Sequence, residues 1–213
     1  MSPKKIEKLF QALDQSLPDP KSELDYRNHF ELLIAVILSA QATDVSVNKV
    51  TPALFAAAPT PLAMIKLGEE GIREKIKSIG LYNAKAKNIS RACQLIVQDY
   101  KSEIPASRKE LERLPGVGTK TAGVLLNIAF NQPTIPVDTH VFRVSNRTGL
   151  VKTKTPQQTE QPLLNVVPDW VKQKAHHLLI LHGRYTCKAR KPLCHDCAID
   201  DLCEYTDKVF NSP

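Results

Sequence analysis

At 213 residues, the chain is long enough for one domain or two small domains with a substantial hydrophobic core. Lysine and arginine together number 29 against 22 aspartates and glutamates, a formal charge of +7 that fits a polyanionic partner without specifying which one. No signal-peptide pattern begins the chain and the longest apolar run, residues 32–38, is far shorter than the roughly 20 residues that span a bilayer, so neither export nor membrane insertion is expected.

Apolar spacing, capping residues and helix breakers predict a series of short helices in the first half of the chain. Asn28 and Glu31 form a capping-box pattern before the longest apolar run, and Thr60 with Pro61 begins a later helix. The predicted helices are 3–17, 29–39, one that begins at Thr43 or Asp44, one from Thr60 to Gly68, 71–78 and 83–99. Cys93 falls on the apolar face of the last of these helices and is interpreted as a small core residue.

Residues 107–130 form the most informative stretch of the sequence. Ser107 opens a capping box at the start of one helix, Pro115 ends that helix, and Thr119 is predicted to cap a second one. Two glycines between the helices permit a tight turn and allow a ligand close to the main chain, while the amides of the new helix face a phosphate oxygen. The pattern looks like a helix-hairpin-helix, although a plain helix–helix turn has similar features. The predicted DNA contacts in the turn are Gly116, Val117 and Gly118.

Lys120 and Asp138 are the candidate catalytic residues. Lys120 falls in the first turn of the second helix, where the helix dipole disfavours another positive charge and so favours the free amine that a nucleophile needs. Most lysines are nevertheless solvated surface charges, and Asp138 precedes an apolar helical pattern as an ordinary N-cap would. As nucleophile and proton acceptor the two residues would suit attack on a sugar carbon, but the sequence alone does not bring them together.

The pattern stays helical towards the C-terminus. The predicted helices are 139–147, one that starts at Thr155 with Pro162 indicating a kink or a late start, and one capped by Asp169. His176, His177 and His182 have a metal-like spacing but are interpreted as packing or surface residues. Because neither alternating strands nor repeats occur, the predicted fold class is all-α.

Four cysteines fall near the C-terminus with the spacing C-x6-C-x2-C-x5-C: Cys187, Cys194, Cys197 and Cys203. In a chain without an export signal, four soft ligands in one loop indicate a metal centre rather than disulfides. Only one close C-x2-C pair occurs, which favours a [4Fe–4S] cluster over tetrahedral zinc, although the spacing does not exclude zinc. Lys191 lies between the ligands with other cations and could touch a DNA backbone, or belong to an ordinary solvated loop.

Taken together, these residues resemble endonuclease III, a bacterial family of DNA glycosylase/lyases of base-excision repair. The resemblance runs essentially end to end, and its motifs are FELLIAVILSAQATD (30–44), LPGVG (114–118) followed by Lys120, VDTH (137–140), LHGR (181–184) and the cysteine spacing. It implies two all-α domains with a DNA-binding cleft between them. The first is a six-helix barrel over 21–133 that contains the helix-hairpin-helix (about 107–130). The second is a helical iron–sulfur cluster domain formed by 1–20 and 134–213, with the cluster loop at 187–203.

The same resemblance implies a mechanism. Lys120 would attack C1′ of a flipped-out damaged nucleotide, Asp138 would assist base departure and proton transfer, and the Schiff base would permit β-elimination 3′ to the lesion. Gln41 and Leu81 would fill the vacated stack, although each alone is an ordinary loop residue. The implied substrates are oxidised pyrimidines such as thymine glycol, and abasic sites, in duplex DNA. The implied protein is a monomer with a [4Fe–4S] cluster that acts at the nucleoid in the bacterial cytoplasm, with no membrane partner.

Two positions depart from the family pattern and leave the substrate range open. Thr119 stands where relatives often have a basic residue, and Gly123 stands where they often have a polar one. The alternatives are a monofunctional adenine-mismatch glycosylase, a non-catalytic DNA-binding module and a redox carrier. The mismatch glycosylases lack the lysine at the end of the hairpin, so Lys120 argues against the first alternative, and a binding module would need neither Lys120 nor Asp138.

Overall fold

The computed structural model describes residues 1–210, and within them the chain contains ten α-helices, three short 3₁₀ helices and no β-strand. The α-helices are α1 (Pro3–Ser16), α2 (His29–Ser39), α3 (Asp44–Ala57), α4 (Pro61–Ile76), α5 (Tyr82–Tyr100), α6 (Arg108–Leu111), α7 (Thr119–Phe130), α8 (Thr139–Thr148), α9 (Glu160–Val166) and α10 (Lys172–Tyr185). The all-α prediction is confirmed.

The helices form two compact units, each with its own hydrophobic core. The central unit is Ser22–Asn131, and the terminal unit combines Met1–Lys21 with the described residues from Gln132 onward. The names six-helix barrel and iron–sulfur cluster domain, which the resemblance suggested for two such parts of the chain, stay predictions.

Helix α2 forms the centre of the core of the central unit. Every residue from Phe30 to Leu38 is buried, as expected for a helix that is apolar on all sides. Asn28 caps its start by accepting a hydrogen bond from the Glu31 amide. The buried Glu31 carboxylate in turn accepts hydrogen bonds from the Arg27 amide (2.8 Å) and guanidinium (2.6 Å), so this charge is paired inside the fold.

Two details of the helices differ from the sequence prediction. Gly68 interrupts α4 with φ +72° and ψ +167°, but the second half of that helix resumes at once rather than at residue 71. Asp169 does not cap the last long helix, because residues 169–171 form a 3₁₀ turn and α10 begins only at Lys172. The Asp169 carboxylate is instead paired with the Lys172 ammonium at 2.5 Å.

Pro162 lies in the first turn of α9, where a proline needs no amide, so the predicted late start is correct.

In the terminal unit, α1 presents one apolar stripe to the core and α10 packs closely against α8. The stripe comprises Ile6, Leu9, Phe10 and Leu13. At Gly183 a Cβ would lie 2.9 Å from the His140 Cβ, which is closer than real side chains pack. Glycine therefore sets the close approach of these two helices.

Within the described residues, no single helix is long and apolar enough to cross a bilayer. Helices α3 and α4, bent by 113° at their junction, pass such a test only when they are joined, and only on length and composition.

Candidate functional site

The predicted hairpin is present in the central unit and is held by local hydrogen bonds. The Ser107 hydroxyl accepts from the Glu110 amide at 3.3 Å and donates to the Glu110 carboxylate at 2.6 Å, which fixes the start of α6. After α6 the chain turns through bonds from the Leu114 amide to the Leu111 carbonyl and from the Val117 amide to the Leu114 carbonyl, both 3.0 Å. The Val117 side chain is buried, so only its main chain could face a ligand.

The two glycines of the turn serve different purposes. Gly116 has φ +86°, and a Cβ there would lie 3.2 Å from both the Asn88 Cβ and the Ile37 Cγ2. Gly118 has an ordinary extended conformation (φ −94°, ψ −179°), and a Cβ there would meet no heavy atom within 4 Å. The turn itself therefore requires glycine only at Gly116, whereas Gly118 leaves open space outside the turn.

The second helix of the hairpin starts one residue earlier than expected. Gly118, not Thr119, is the N-cap of α7, and it has no side chain with which to cap the helix. Thr119 lies inside the helix, and its carbonyl accepts a hydrogen bond from the Arg108 guanidinium at 3.2 Å. A helix that begins without a side-chain cap presents its first amides to an anion.

Lys120 is the second residue of α7, and it is exposed. It follows the turn directly, so its side chain starts from the same end of α7 that carries the uncapped amides. An exposed amine at a helix end whose amides can hold a phosphate is suitably placed to attack the nucleotide that carries this phosphate.

Gln41 and Leu81 share an unusual backbone conformation in the central unit. Both are exposed and left-handed, with φ +53° and +61°, a region that residues with a Cβ rarely adopt. Their turns adjoin, because a Cβ on Gly80 would lie 4.0 Å from the Gln41 carbonyl oxygen. No residue pattern predicts this pairing, since neither leucine nor glutamine is typical of left-handed turns.

In the terminal unit, Asp138 is the N-cap of α8. Its Oδ1 accepts hydrogen bonds from the amides of His140 and Val141, each 2.8 Å long, and its Oδ2 lies 3.2 Å from the His140 Nδ1. The carboxyl side chain is 12% exposed. The capping role expected of any such aspartate is therefore real, and it fixes the orientation of the carboxylate.

The four cysteines of the C-terminal loop line one cavity of the terminal unit. Burial raises the pKa of the Cys197 thiol to about 11, and burial also raises the pKa of the Cys203 thiol. Among the described residues, no group of three or more histidine, cysteine, aspartate or glutamate side chains is arranged to hold a single metal ion. Four cysteine sulfurs that line a common cavity are the donor set expected of an iron–sulfur cluster, which would bind them as thiolates.

Two arginines of α8 hold the cysteine loop in place, and no sequence pattern indicated this role. Arg143 donates to the carbonyls of Gly183 (2.7 Å) and Cys187 (3.0 Å). Arg147 donates to the Lys188 carbonyl at 2.7 Å, and its Nη1 lies 3.7 Å from the Cys187 sulfur. N–H groups aimed at a thiolate sulfur stabilise its negative charge.

Other candidate residues of the terminal unit fall into two groups. Lys191 is exposed and left-handed (φ +51°) on the outside of the cysteine loop. His176, His177 and His182 are buried; the His176 Nδ1 lies 2.8 Å from the Pro136 carbonyl, and the His182 Nε2 lies 3.8 Å from the Cys197 sulfur.

In the central unit Cys93 is fully buried, and burial raises the pKa of its thiol to about 12, in agreement with its interpretation as a core residue.

Comparison with known proteins gives concordant results. The profile of the HhH-GPD superfamily base excision DNA repair proteins matches residues 34–169. The chain is 57% identical to endonuclease III of Escherichia coli K12 over 197 residues, which cover 92% of this chain and 93% of that protein. It is 54% identical to endonuclease III of Haemophilus influenzae over 206 residues, which cover 97% of each.

Solved structures agree with these sequence matches. A trapped covalent intermediate of endonuclease III with DNA matches with a TM-score of 0.90, 43% identity and coverage of 96% of both chains. A thermostable thymine-DNA glycosylase matches with a TM-score of 0.85 and 25% identity, over 95% of this chain and 96% of that one. The chain therefore belongs to the endonuclease III family within the HhH-GPD superfamily of base excision DNA repair proteins.

Proposed function

We propose that this protein removes oxidised pyrimidines from duplex DNA and then cleaves the strand 3′ to the lesion through a Schiff base on Lys120. Its family makes it a DNA glycosylase and AP lyase that acts on damaged duplex DNA. The observation that carries the more specific proposal is the exposed Lys120 in the first turn of a helix that begins without a side-chain cap. A relative forms a covalent intermediate with DNA, as such a nucleophile requires.

In the proposed reaction Lys120 acts first as the nucleophile and then as the amine of a Schiff base. As a free amine, its Nζ forms a bond to C1′ while the glycosidic C–N bond breaks and the electron pair leaves with the base, which takes up a proton. Opening of the sugar ring then gives the iminium. Loss of a C2′ proton and departure of the 3′ phosphate cleave the strand, after which water releases the amine.

Asp138 is proposed as the group that accepts and returns protons during these steps. Its Oδ1 is held by two amides of α8, so the carboxylate has a fixed orientation. An oriented carboxylate of this kind typically contributes about 10²–10⁴-fold to a proton-transfer step.

The remaining assignments concern DNA binding. The main chain of Gly116, Val117 and Gly118 would hold a phosphate, and Lys191 would contact the backbone. The exposed, left-handed Gln41 and Leu81 would enter the space that the flipped nucleotide leaves, because flipping requires the stack to be refilled. Strained backbone at two adjoining exposed turns supports this assignment, since such strain persists mostly at functional positions.

We assign Cys187, Cys194, Cys197 and Cys203 as the ligands of a [4Fe–4S] cluster. All four line one cavity, and N–H groups of Arg147 approach the sulfur of Cys187. When bound, the cluster would supply structural cross-links that tie the loop to the end of α10. The protein would act as a monomer on the nucleoid of the bacterial cytoplasm.

Strand cleavage without added alkali tests the proposed function. A duplex with one thymine glycol should be cleaved by the wild type under neutral conditions, and alkali should add little further product. Asp138→Asn keeps a capping side chain, so we expect a folded protein whose excision rate falls by about 10²-fold. Products that appear only after alkali would show a glycosylase without lyase activity and would contradict the role of Lys120.

A further inference from the structure

Lys85 is a buried cation without a hydrogen-bond partner among the described residues. It lies in the first part of α5, is 4% exposed, and its Nζ contacts neither solvent nor any acceptor. Burial lowers the pKa of this amine. Buried ammonium groups are ordinarily paired because desolvation is costly, so an unpaired one calls for an explanation.

The surroundings of Lys85 connect the hairpin with the two exposed left-handed turns. Its amide donates to the Leu81 carbonyl at 3.0 Å, so Lys85 lies one helical turn after Leu81. Asn88, three residues further along the same face of α5, lies beside the position of a Gly116 Cβ, as does Ile37 in the last part of α2. Along α5, Lys85 therefore lies between Asn88, which adjoins Gly116 together with Ile37 of α2, and the leading turn, where Gly80 adjoins Gln41.

The C-terminal end of α2 is the natural partner for a cation in this position. The last carbonyls of a helix lack partners within the helix, and the helix dipole makes that end negative. Some of these carbonyls accept local bonds, such as the Ile37 carbonyl from the Ala40 amide. The Lys85 Nζ donates a hydrogen bond to none of them. Gln41 follows directly in the same turn.

We propose that Lys85 is a positioning residue for the Gln41 and Leu81 pair, whose ammonium bonds the main-chain carbonyls at the end of α2 when the two side chains enter a DNA stack. The inference rests on the proposed role of Gln41 and Leu81 in filling the vacated stack. The hydrogen bonds that the Lys85 ammonium forms when DNA is bound give its N–H donors the partners that they lack in the DNA-free protein. The buried charge thus destabilises the free protein and stabilises the arrangement that holds the duplex open.

Lys85→Met tests this role, because methionine keeps the length of the stem and removes the charge. Lys87→Met, at an exposed lysine of the same helix, is the matched control. Three quantities are compared: the thermal midpoint without DNA, single-turnover excision of thymine glycol from a duplex, and lyase activity on an abasic site in a single-stranded oligonucleotide. The last substrate needs no base to be displaced from a duplex.

For Lys85→Met we expect a thermal midpoint equal to or above that of the wild type, duplex excision reduced at least about tenfold, and single-strand lyase activity within about twofold. Lys87→Met should change none of the three. An ordinary structural lysine would instead give a lower midpoint and a similar loss on both substrates. That result, or unchanged duplex excision by Lys85→Met, would overturn the proposal.

Leu81→Ala, assayed in parallel, separates failure of this inference from failure of the function on which it rests. If Leu81→Ala loses duplex excision selectively and Lys85→Met does not, only the role of Lys85 is wrong. If Leu81→Ala leaves duplex excision intact, the stack-filling assignment is wrong and the positioning role of Lys85 is overturned with it.

Discussion

Alanine substitution at the two glycines of the hairpin tests their separate roles. The substitution should reduce stability at Gly116 and DNA affinity at Gly118. At Gly116 the backbone is left-handed, and a Cβ would lie 3.2 Å from two neighbouring side-chain atoms. The left-handed conformation costs a residue with a Cβ about 1–2 kcal/mol, and overpacking costs about 1–3 kcal/mol. Gly116→Ala should therefore lower the free energy of unfolding of the central unit by about 2–5 kcal/mol.

At Gly118 neither penalty applies. Its backbone is extended and a Cβ would contact nothing within 4 Å. Gly118→Ala should change the unfolding free energy by no more than about 1 kcal/mol, because alanine is a poorer N-cap than glycine but reduces the entropy of the unfolded chain. The new methyl group would nevertheless occupy the space through which a phosphate reaches the amides of α7, so DNA affinity should fall.

Urea unfolding and equilibrium binding to an undamaged duplex at one fixed salt concentration measure the two effects. The expected pattern is a stability loss of about 2–5 kcal/mol in Gly116→Ala, and an affinity loss in Gly118→Ala with a stability change of no more than about 1 kcal/mol. A stable Gly116→Ala protein would refute the packing argument. Unchanged affinity in Gly118→Ala would refute the approach of a phosphate at this position.

Three further predictions concern the terminal unit. Cys203→Ser should lose the visible absorption of the iron–sulfur cluster and lower the thermal midpoint, whereas an intact absorption band would contradict the ligand assignment. Lys191→Ala should weaken DNA binding and reduce the slope of log affinity against log salt concentration by about one, whereas Lys8→Ala, at an exposed lysine of α1, should leave the slope unchanged; an unchanged slope in Lys191→Ala would exclude a phosphate contact. Burial and the nearby Arg184 lower the pKa of His177 to about 4, so the unfolded state binds its proton first and stability falls as the pH drops from about 6.5 towards 4. His177→Gln should remove about 2 kcal/mol of that loss at about pH 5 in urea titrations, and an equal pH dependence in both proteins would contradict the assignment.

Local features of the fold were predictable from sequence because short-range chemistry determines them. The caps at Asn28, Thr60 and Ser107 each precede a helix, as hydroxyl and amide side chains at those positions indicate. The cap at Thr119 was wrong because the preceding glycine already takes the last non-helical conformation, which puts the threonine inside the helix.

Features that depend on distant parts of the chain were not predictable. Arg143 and Arg147 bind carbonyls about forty residues away, and no periodicity indicates such partners. The left-handed conformations of Gln41 and Leu81 oppose the preferences of both residue types, so tertiary packing must impose them. The buried, unpaired amine of Lys85 likewise has the sequence context of an ordinary exposed helix lysine.

Borohydride trapping tests whether the Lys120 amine is the nucleophile that attacks the sugar. A duplex with a single abasic site is incubated with wild type, Lys120→Ala or Lys109→Ala in the presence of borohydride, which reduces a Schiff base to a stable covalent bond. We expect a protein–DNA adduct with the wild type and with Lys109→Ala, and none with Lys120→Ala. An adduct of equal yield with Lys120→Ala would assign the chemistry to another amine, and no adduct with any of the three proteins would contradict the lyase mechanism itself.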